Sequence, residues 1–352
     1  MRALALTMAA LLMLAAGCTD DPDATPAEGL LSPQSTFASS RHTPAGRVEA
    51  VLPLTHLTDL PEGIAVDHQG DIFVGNRRLT GDRRTSEILR IAPDNSVSVF
   101  ATLGQAGVGL DAGVLGLAVD DGGDLYAALA TGDPTTHGLW RIGRRGGMAR
   151  LAGSERMLTP NALAFDVQGN LYATDSEDGT VWRFPRGGAG ALWLRHPLLA
   201  PDPSFGIGAN GIVFVPPATL FVANTDLALI ARIPIRTDGS PGEPSVAAAG
   251  FDLLTVDGLA ADAHGNLHAV IAGASIFGTA PVVRIDPKTG EITSSTDEWD
   301  RFDFPTSLAF GAGRIDRKSV YVVNAGLFPE DRPEASPSVV RVGVEVPGAP
   351  LR

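Results

Sequence analysis

The chain has 352 residues, 44% of them hydrophobic and 19% charged, enough apolar content to bury a large core and too much for overall disorder. Its 40 Asp and Glu exceed its 27 Lys and Arg, for a net charge of −13, and no Lys/Arg cluster is expected to offset this locally, which argues against a nucleic-acid partner. One cysteine excludes an intrachain disulfide, thiolate zinc sites and redox pairs, while 41 Gly and 26 Pro favour turns over long helices.

At the N-terminus, Arg2 precedes an apolar run from Ala3 to Gly17, too short to span a bilayer as a helix but suited to an export signal over residues 1–17. Leu14-Ala15-Ala16-Gly17-Cys18 resembles a bacterial lipobox. That resemblance implies cleavage before Cys18 and diacylglycerol on its sulfur, hence an extracytoplasmic protein held to a bacterial membrane by its lipid alone. Residues 18–42 are rich in Asp, Pro, Ser, Thr and Ala without periodicity and are expected to form a flexible tether.

Next comes a repeated phrase: small, apolar, small, apolar, Asp, two variable residues, Gly, Asp or Asn, apolar, aromatic. Copies start at Gly63 (GIAVDHQGDIFV), Gly116 (GLAVDDGGDLYA), Ala162 (ALAFDVQGNLYA) and Gly258 (GLAADAHGNLHA), with degenerate ones at Gly211 and Ser307. Their spacings are 53, 46, 49, 47 and 49 residues. Each reads as a strand, a tight turn at Asp-x-x-Gly, a second strand, and a third marked by an apolar pair and an arginine (Arg90, Arg141, Arg183, Arg232, Arg284, Arg341). A fourth stretch is usually visible. Four strands per repeat of this length predict an all-β, six-bladed β-propeller over residues 43–350, with four-stranded blades. The last copy ends with three strands, so Arg47–Thr55 is expected to supply the fourth and close the ring.

Propeller chemistry is expected where blade loops converge on the channel mouth. The residue just before each first strand is Glu62, Leu115, Asn161, Asn210, Asp257 and Thr306 in turn. Only a closed ring would bring such distant positions together. There they would supply two carboxylates and two amides, and oxygen donors without His or Cys select Ca²⁺, or less well Mg²⁺, over zinc and copper.

The segments Pro61-Glu62-Gly63, Pro160-Asn161, Asn210-Gly211 and Asp257-Gly258, with Arg284-Ile285-Asp286-Pro287-Lys288-Thr289-Gly290 downstream, resemble the senescence marker protein/gluconolactonase/luciferin-regenerating-enzyme family. The resemblance implies that Glu62, Asn210 and Asp257 bind calcium, that Asn161 lies near metal and substrate, and that Asp257 is the catalytic base attacking a lactone or ester through water. Two departures bear on specificity. Thr159 stands where sugar-lactone members carry an arginine, and Leu115 where paraoxonases carry a catalytic histidine, so an apolar small-molecule lactone or ester is expected over a sugar acid.

Other candidates read as architecture. Asp67, Asp120, Asp166 and Asp262 open Asp-x-x-Gly turns and are expected to cap them. His264 and His268 are separated by a turn and are expected to be surface residues. Asn76, Asp175, Asn224 and Asn324 follow second strands with a lesser claim to the site. Two functions fit: a calcium-dependent hydrolase in the cell envelope, or a non-catalytic propeller plugged by calcium that binds a partner protein or glycan. A monomer is expected in either case.

Overall fold

Four alternating strands per copy leave each sheet apolar on both faces, and such a sheet is stable only between two others like it. The computed structural model shows this solution and describes residues 45–54, 60–80, 83–105, 113–313, 316–328 and 337–350. The expected export signal, Cys18 and the expected tether lie outside the described residues. Six four-stranded antiparallel sheets form the blades of a propeller, and their innermost strands are Ile64–Val66, Gly113–Val119, Pro160–Phe165, Ala209–Val215, Val256–Ala261 and Pro305–Phe310. In the sixth blade the outermost strand is Val48–Pro53, paired antiparallel with Ser338–Gly343, so this sheet is drawn from both ends of the chain. Among the described residues, no helix is long and apolar enough to cross a membrane.

Six apolar clusters occupy the six interfaces between neighbouring blades. Ile72 and Val74 of blade one meet Tyr321 and Val323 of blade six, for example, and Tyr172 and Val181 of blade three meet Leu220 and Val222 of blade four. Fully buried residues such as Leu220 and Ile230 each contribute about 1.5–3 kcal/mol by leaving water. No blade has a private core, so the ring is stable as a whole.

The repeat's polar residues hold each blade together. Asp67, Asp120, Asp166 and Asp262 cap their own turns: each accepts from the amides two and four residues ahead, at 2.8–3.0 Å. The third-strand arginines sit opposite a ring on the second strand in every blade, in the pairs Phe73–Arg90, Tyr126–Arg141, Tyr172–Arg183, Phe221–Arg232, His268–Arg284 and Tyr321–Arg341. His268 therefore occupies an aromatic position. It is 2% exposed and packs edge-on against Phe310, which corrects the expectation of a surface residue; His264 is exposed.

Candidate active site

Glu62 precedes its inner strand, as the sequence suggested for all six hub residues, but the other five lie within theirs. There the ladder skips. Pro160 pairs with Asp175 and Leu163 with Ala173, so Asn161 and Ala162 face a single residue; Asn210 and Asp257 occupy the same kind of bulge. Leu115 and Thr306 are the extra residues of shorter bulges. A bulge frees one residue from the alternation of faces and re-aims its side chain, here toward the axis. Glycine follows the hub residue in four copies because inner strands of adjacent blades nearly touch. A Cβ on Gly116 or Gly211 would fall on the carbonyl oxygen of Asn161 or Asp257 in the next blade.

Leu115, Asn161, Asn210, Asp257 and Thr306 line a common cavity of about 60 Å³ on the axis. Glu62 joins the ring through its backbone: its carbonyl accepts from Thr306 Oγ1 at 3.3 Å and its amide donates to Gly75 O at 3.1 Å. Its side chain is partly exposed and is not among those lining the cavity.

Two hydroxyls orient the two amides. Asn161 Nδ2 donates to Ser176 Oγ at 3.0 Å, and that hydroxyl donates to Ala209 O of the next blade at 2.8 Å. Asn210 Nδ2 donates to Thr225 Oγ1 at 3.0 Å, which in turn donates to Val256 O at 2.8 Å. Sequence reasoning passed over Ser176 and Thr225, although both stand one residue past the second strand in consecutive copies. With its NH₂ committed, Asn210 leaves Oδ1 buried without a hydrogen-bond partner among the described residues. Such an oxygen costs stability unless something electropositive meets it.

Asp257 lies beside that amide. Burial pushes its carboxyl up to about 8, opposed only by the neighbouring Asn210 side chain. No three His, Cys, Asp or Glu side chains converge among the described residues. The hub donors are instead amide and carboxyl oxygens, and an orphaned amide oxygen next to a buried carboxyl suits a hard divalent cation.

The two departures are visible in the structure. Leu115 forms an apolar wall of the cavity, and Thr159 is tied down, its amide donating to Asp175 Oδ1 at 2.8 Å and its hydroxyl to Glu177 Oε2 at 3.2 Å. The residues that close three of the second strands brace loops, ending those strands rather than following them. Asp175 also accepts from Leu158 N at 2.7 Å, Asn224 Nδ2 donates to Leu198 O and Ala200 O, and Asn324 Nδ2 donates to Arg301 O.

The expectation of no basic cluster is overturned. Arg77 and Arg78 lie on the strand Ile72–Thr80, and Arg83 and Arg84 on its partner Arg83–Ile91. Four intervening residues, Asp82 among them, dilute the cluster in sequence. The antiparallel register, with Arg78 opposite Thr85 and Leu79 opposite Arg84, brings the two pairs onto facing strands, with Arg78 and Arg84 on opposite faces.

Fold and hub together define a six-bladed propeller with oxygen donors ringed about its axis. No protein-family model matches the chain, and a search of curated proteins found no match. Among solved structures it is similar to a calcium-binding protein, regucalcin, from Agrobacterium tumefaciens (18% identity over 91% of this chain and 98% of that one, TM-score 0.62). It is also similar to a gluconolactonase from Xanthomonas campestris (17% identity, 91% and 99% covered, TM-score 0.61) and to virginiamycin B lyase from Staphylococcus aureus (14%, 85% and 99%, TM-score 0.53). At these identities the likeness is one of fold, and that fold carries both a gluconolactonase and a lyase.

Proposed function

We propose that the chain is an envelope-anchored, calcium-dependent hydrolase of a lactone or ester that works at the hub. The observation carrying this reading is the meeting of a partly buried carboxyl, Asp257, with an amide oxygen of Asn210 that lacks a hydrogen-bond partner among the described residues. Glu62, Asn210 and Asp257 would hold the cation, and Asn161 would face the substrate. A divalent cation bound there would polarise the substrate carbonyl as a Lewis acid. Asp257 takes the proton of the attacking water as its oxygen bonds to the carbonyl carbon. The carbon–oxygen bond to the leaving alcohol then breaks, and Asp257 returns the proton to that oxygen. Asp257 can make both transfers provided one of its oxygens stays free of the cation. Asn161, pinned by Ser176, keeps its amide in one orientation toward the substrate.

The test is turnover by purified protein over a panel of lactones and aryl esters, with added Ca²⁺ or with EDTA. Hydrolysis is expected only with calcium, and Asp257→Ala is expected to abolish it while circular dichroism stays unchanged. Undiminished turnover in that variant overturns the assignment. A second reading has one observation in its favour: about 60 Å³ holds roughly two waters, room for an ion but not for an enclosed substrate. Calcium would then be a structural plug, with a partner protein or glycan bound at the mouth; stoichiometric calcium without turnover would favour it.

A further inference from the structure

We propose that the chain has a second binding site, on the face away from the mouth, for a small uncharged aromatic molecule with an N–H or O–H donor on its ring. This site is independent of the hydrolase reading. A cavity of about 490 Å³ lies between blades two and three, against about 60 Å³ at the hub. Small-molecule sites typically enclose about 300–1,000 Å³. The cavity reaches the Asp-x-x-Gly turns at Asp120 and Asp166, which follow the ends of the inner strands opposite the hub residues. Its lining is aromatic: Tyr126 and Phe165 meet edge to face with centroids 5.0 Å apart, and Phe184 and Leu151 lie along it with them.

The neighbouring clefts show what this one lacks. The deciding residue in each blade lies on or just after the fourth strand, two positions past the one paired with the third-strand arginine. In blades one and three it places a ring against the second-strand aromatic: Phe100 on Phe73 at 4.9 Å, Trp193 on Tyr172 at 5.0 Å. The Trp193 indole N–H also donates at 2.8 Å to Gly239 O, in the turn between the third and fourth strands of blade four. Blade four has Ala247 there, and Arg232 instead lies over Phe221 at 5.6 Å, its guanidinium donating to Pro287 O. Blade two has Leu151 there, and its Arg141 is drawn off to Asp124, Nε to Oδ2 at 2.8 Å. Phe165 does not make up the loss, because its repeat equivalent, Phe214, accompanies Trp193 in the next cleft. The cleft beside Tyr126 is therefore one ring short. The protein's own repeat shows a ring that fits: an indole, with its N–H toward the turn 185–189, which lines the cavity and is the counterpart of the turn at Gly239.

The charges on the lining are already partnered. Asp120 and Asp166 cap their turns, Arg150 Nη1 donates to Pro134 O and His137 O, Arg141 holds Asp124, and Arg186 pairs with Asp121 at 3.3 Å. Tyr126 is kept un-ionised, pushed up to about 12 by burial and by Asp120 beside it. No counter-ion is called for, so ring contact and one hydrogen bond select the ligand. The Arg186–Asp121 pair ties the two blades together at the exposed side of the cavity, which suits a free small molecule over a segment of a partner chain.

The probe is 5-fluoroindole, followed by its fluorine resonance, with 5-fluoro-1-methylindole as the analogue that lacks the donor. Wild type is expected to bind one 5-fluoroindole per chain, saturably, and the methylated analogue about fivefold or more weakly. Leu151→Trp supplies the missing ring and should weaken 5-fluoroindole by about tenfold or more. Asp257→Ala, at the distant hub, should leave the affinity within about twofold. A second measurement needs no variant: nuclear Overhauser contacts from the probe's ring protons to the methyl groups of Leu151 and Leu171 in methyl-labelled wild type, with none to Leu115 at the hub. Absence of saturable binding overturns the proposal, as does binding that Leu151→Trp leaves undiminished. Equal affinity for the two indoles overturns the assigned donor. Contacts to Leu115, or release by Asp257→Ala, would put the ring at the hub and overturn the second site.

Discussion

Replacing Asp257 by Asn removes a carboxyl that folding takes out of water, and the consequence is a change in how stability varies with pH. In the unfolded chain Asp257 titrates near 3.8; in the folded protein burial holds it near 8. The folded state therefore binds this proton more tightly. The resulting stabilisation is complete below about pH 4 and is lost as pH rises through about 8. Between pH 5 and pH 8 a fully enclosed carboxyl would forfeit about 4 kcal/mol, at roughly 1.4 kcal/mol per pH unit. Asp257 keeps some contact with channel water, so about half that loss is expected. Urea denaturation in EDTA at both pH values should show the wild type losing about 2 kcal/mol more than Asp257→Asn. Asp175 and Asp226 are also raised by burial, but they contribute equally to both proteins and cancel in the comparison. Calcium at a hundredfold excess over its Kd should restore about 2.7 kcal/mol to the wild type at pH 8 and much less to the variant. A wild-type-minus-variant difference that does not change with pH would refute the claim that this carboxyl is buried at the hub.

Two further outcomes test the scaffold and the proposed leader. Thr225→Val strips partners from Asn210 Nδ2 and Val256 O together, which should cost about 1–3 kcal/mol in denaturation experiments and weaken calcium binding in titration calorimetry, since the amide loses its orientation. Cys18→Ser should move the protein expressed in a bacterial host from the membrane fraction to the soluble one; retention in the membrane would reject the lipid anchor.

Much of the architecture was legible in the chain because it is written six times. Spacings of 46–53 residues, an Asp-x-x-Gly turn in four copies and one arginine per third strand point to identical sheets arranged radially. Capping by Asp67, Asp120, Asp166 and Asp262 follows from local chemistry that needs no tertiary contact. The hub column was also readable, since a closed ring with a fixed period must align equivalent positions on its axis. What local pattern does not encode is how one strand lies against another. Register alone turns Asn210 and Asp257 out of the ladder as bulge residues, brings Thr225 Oγ1 to the Asn210 amide, and buries His268 in an aromatic position. Arg78 and Thr85, seven positions apart in sequence, come to face each other only through antiparallel pairing. Periodicity determined the wheel; strand register, set by packing between blades, decided which side chains reach its hub and rim.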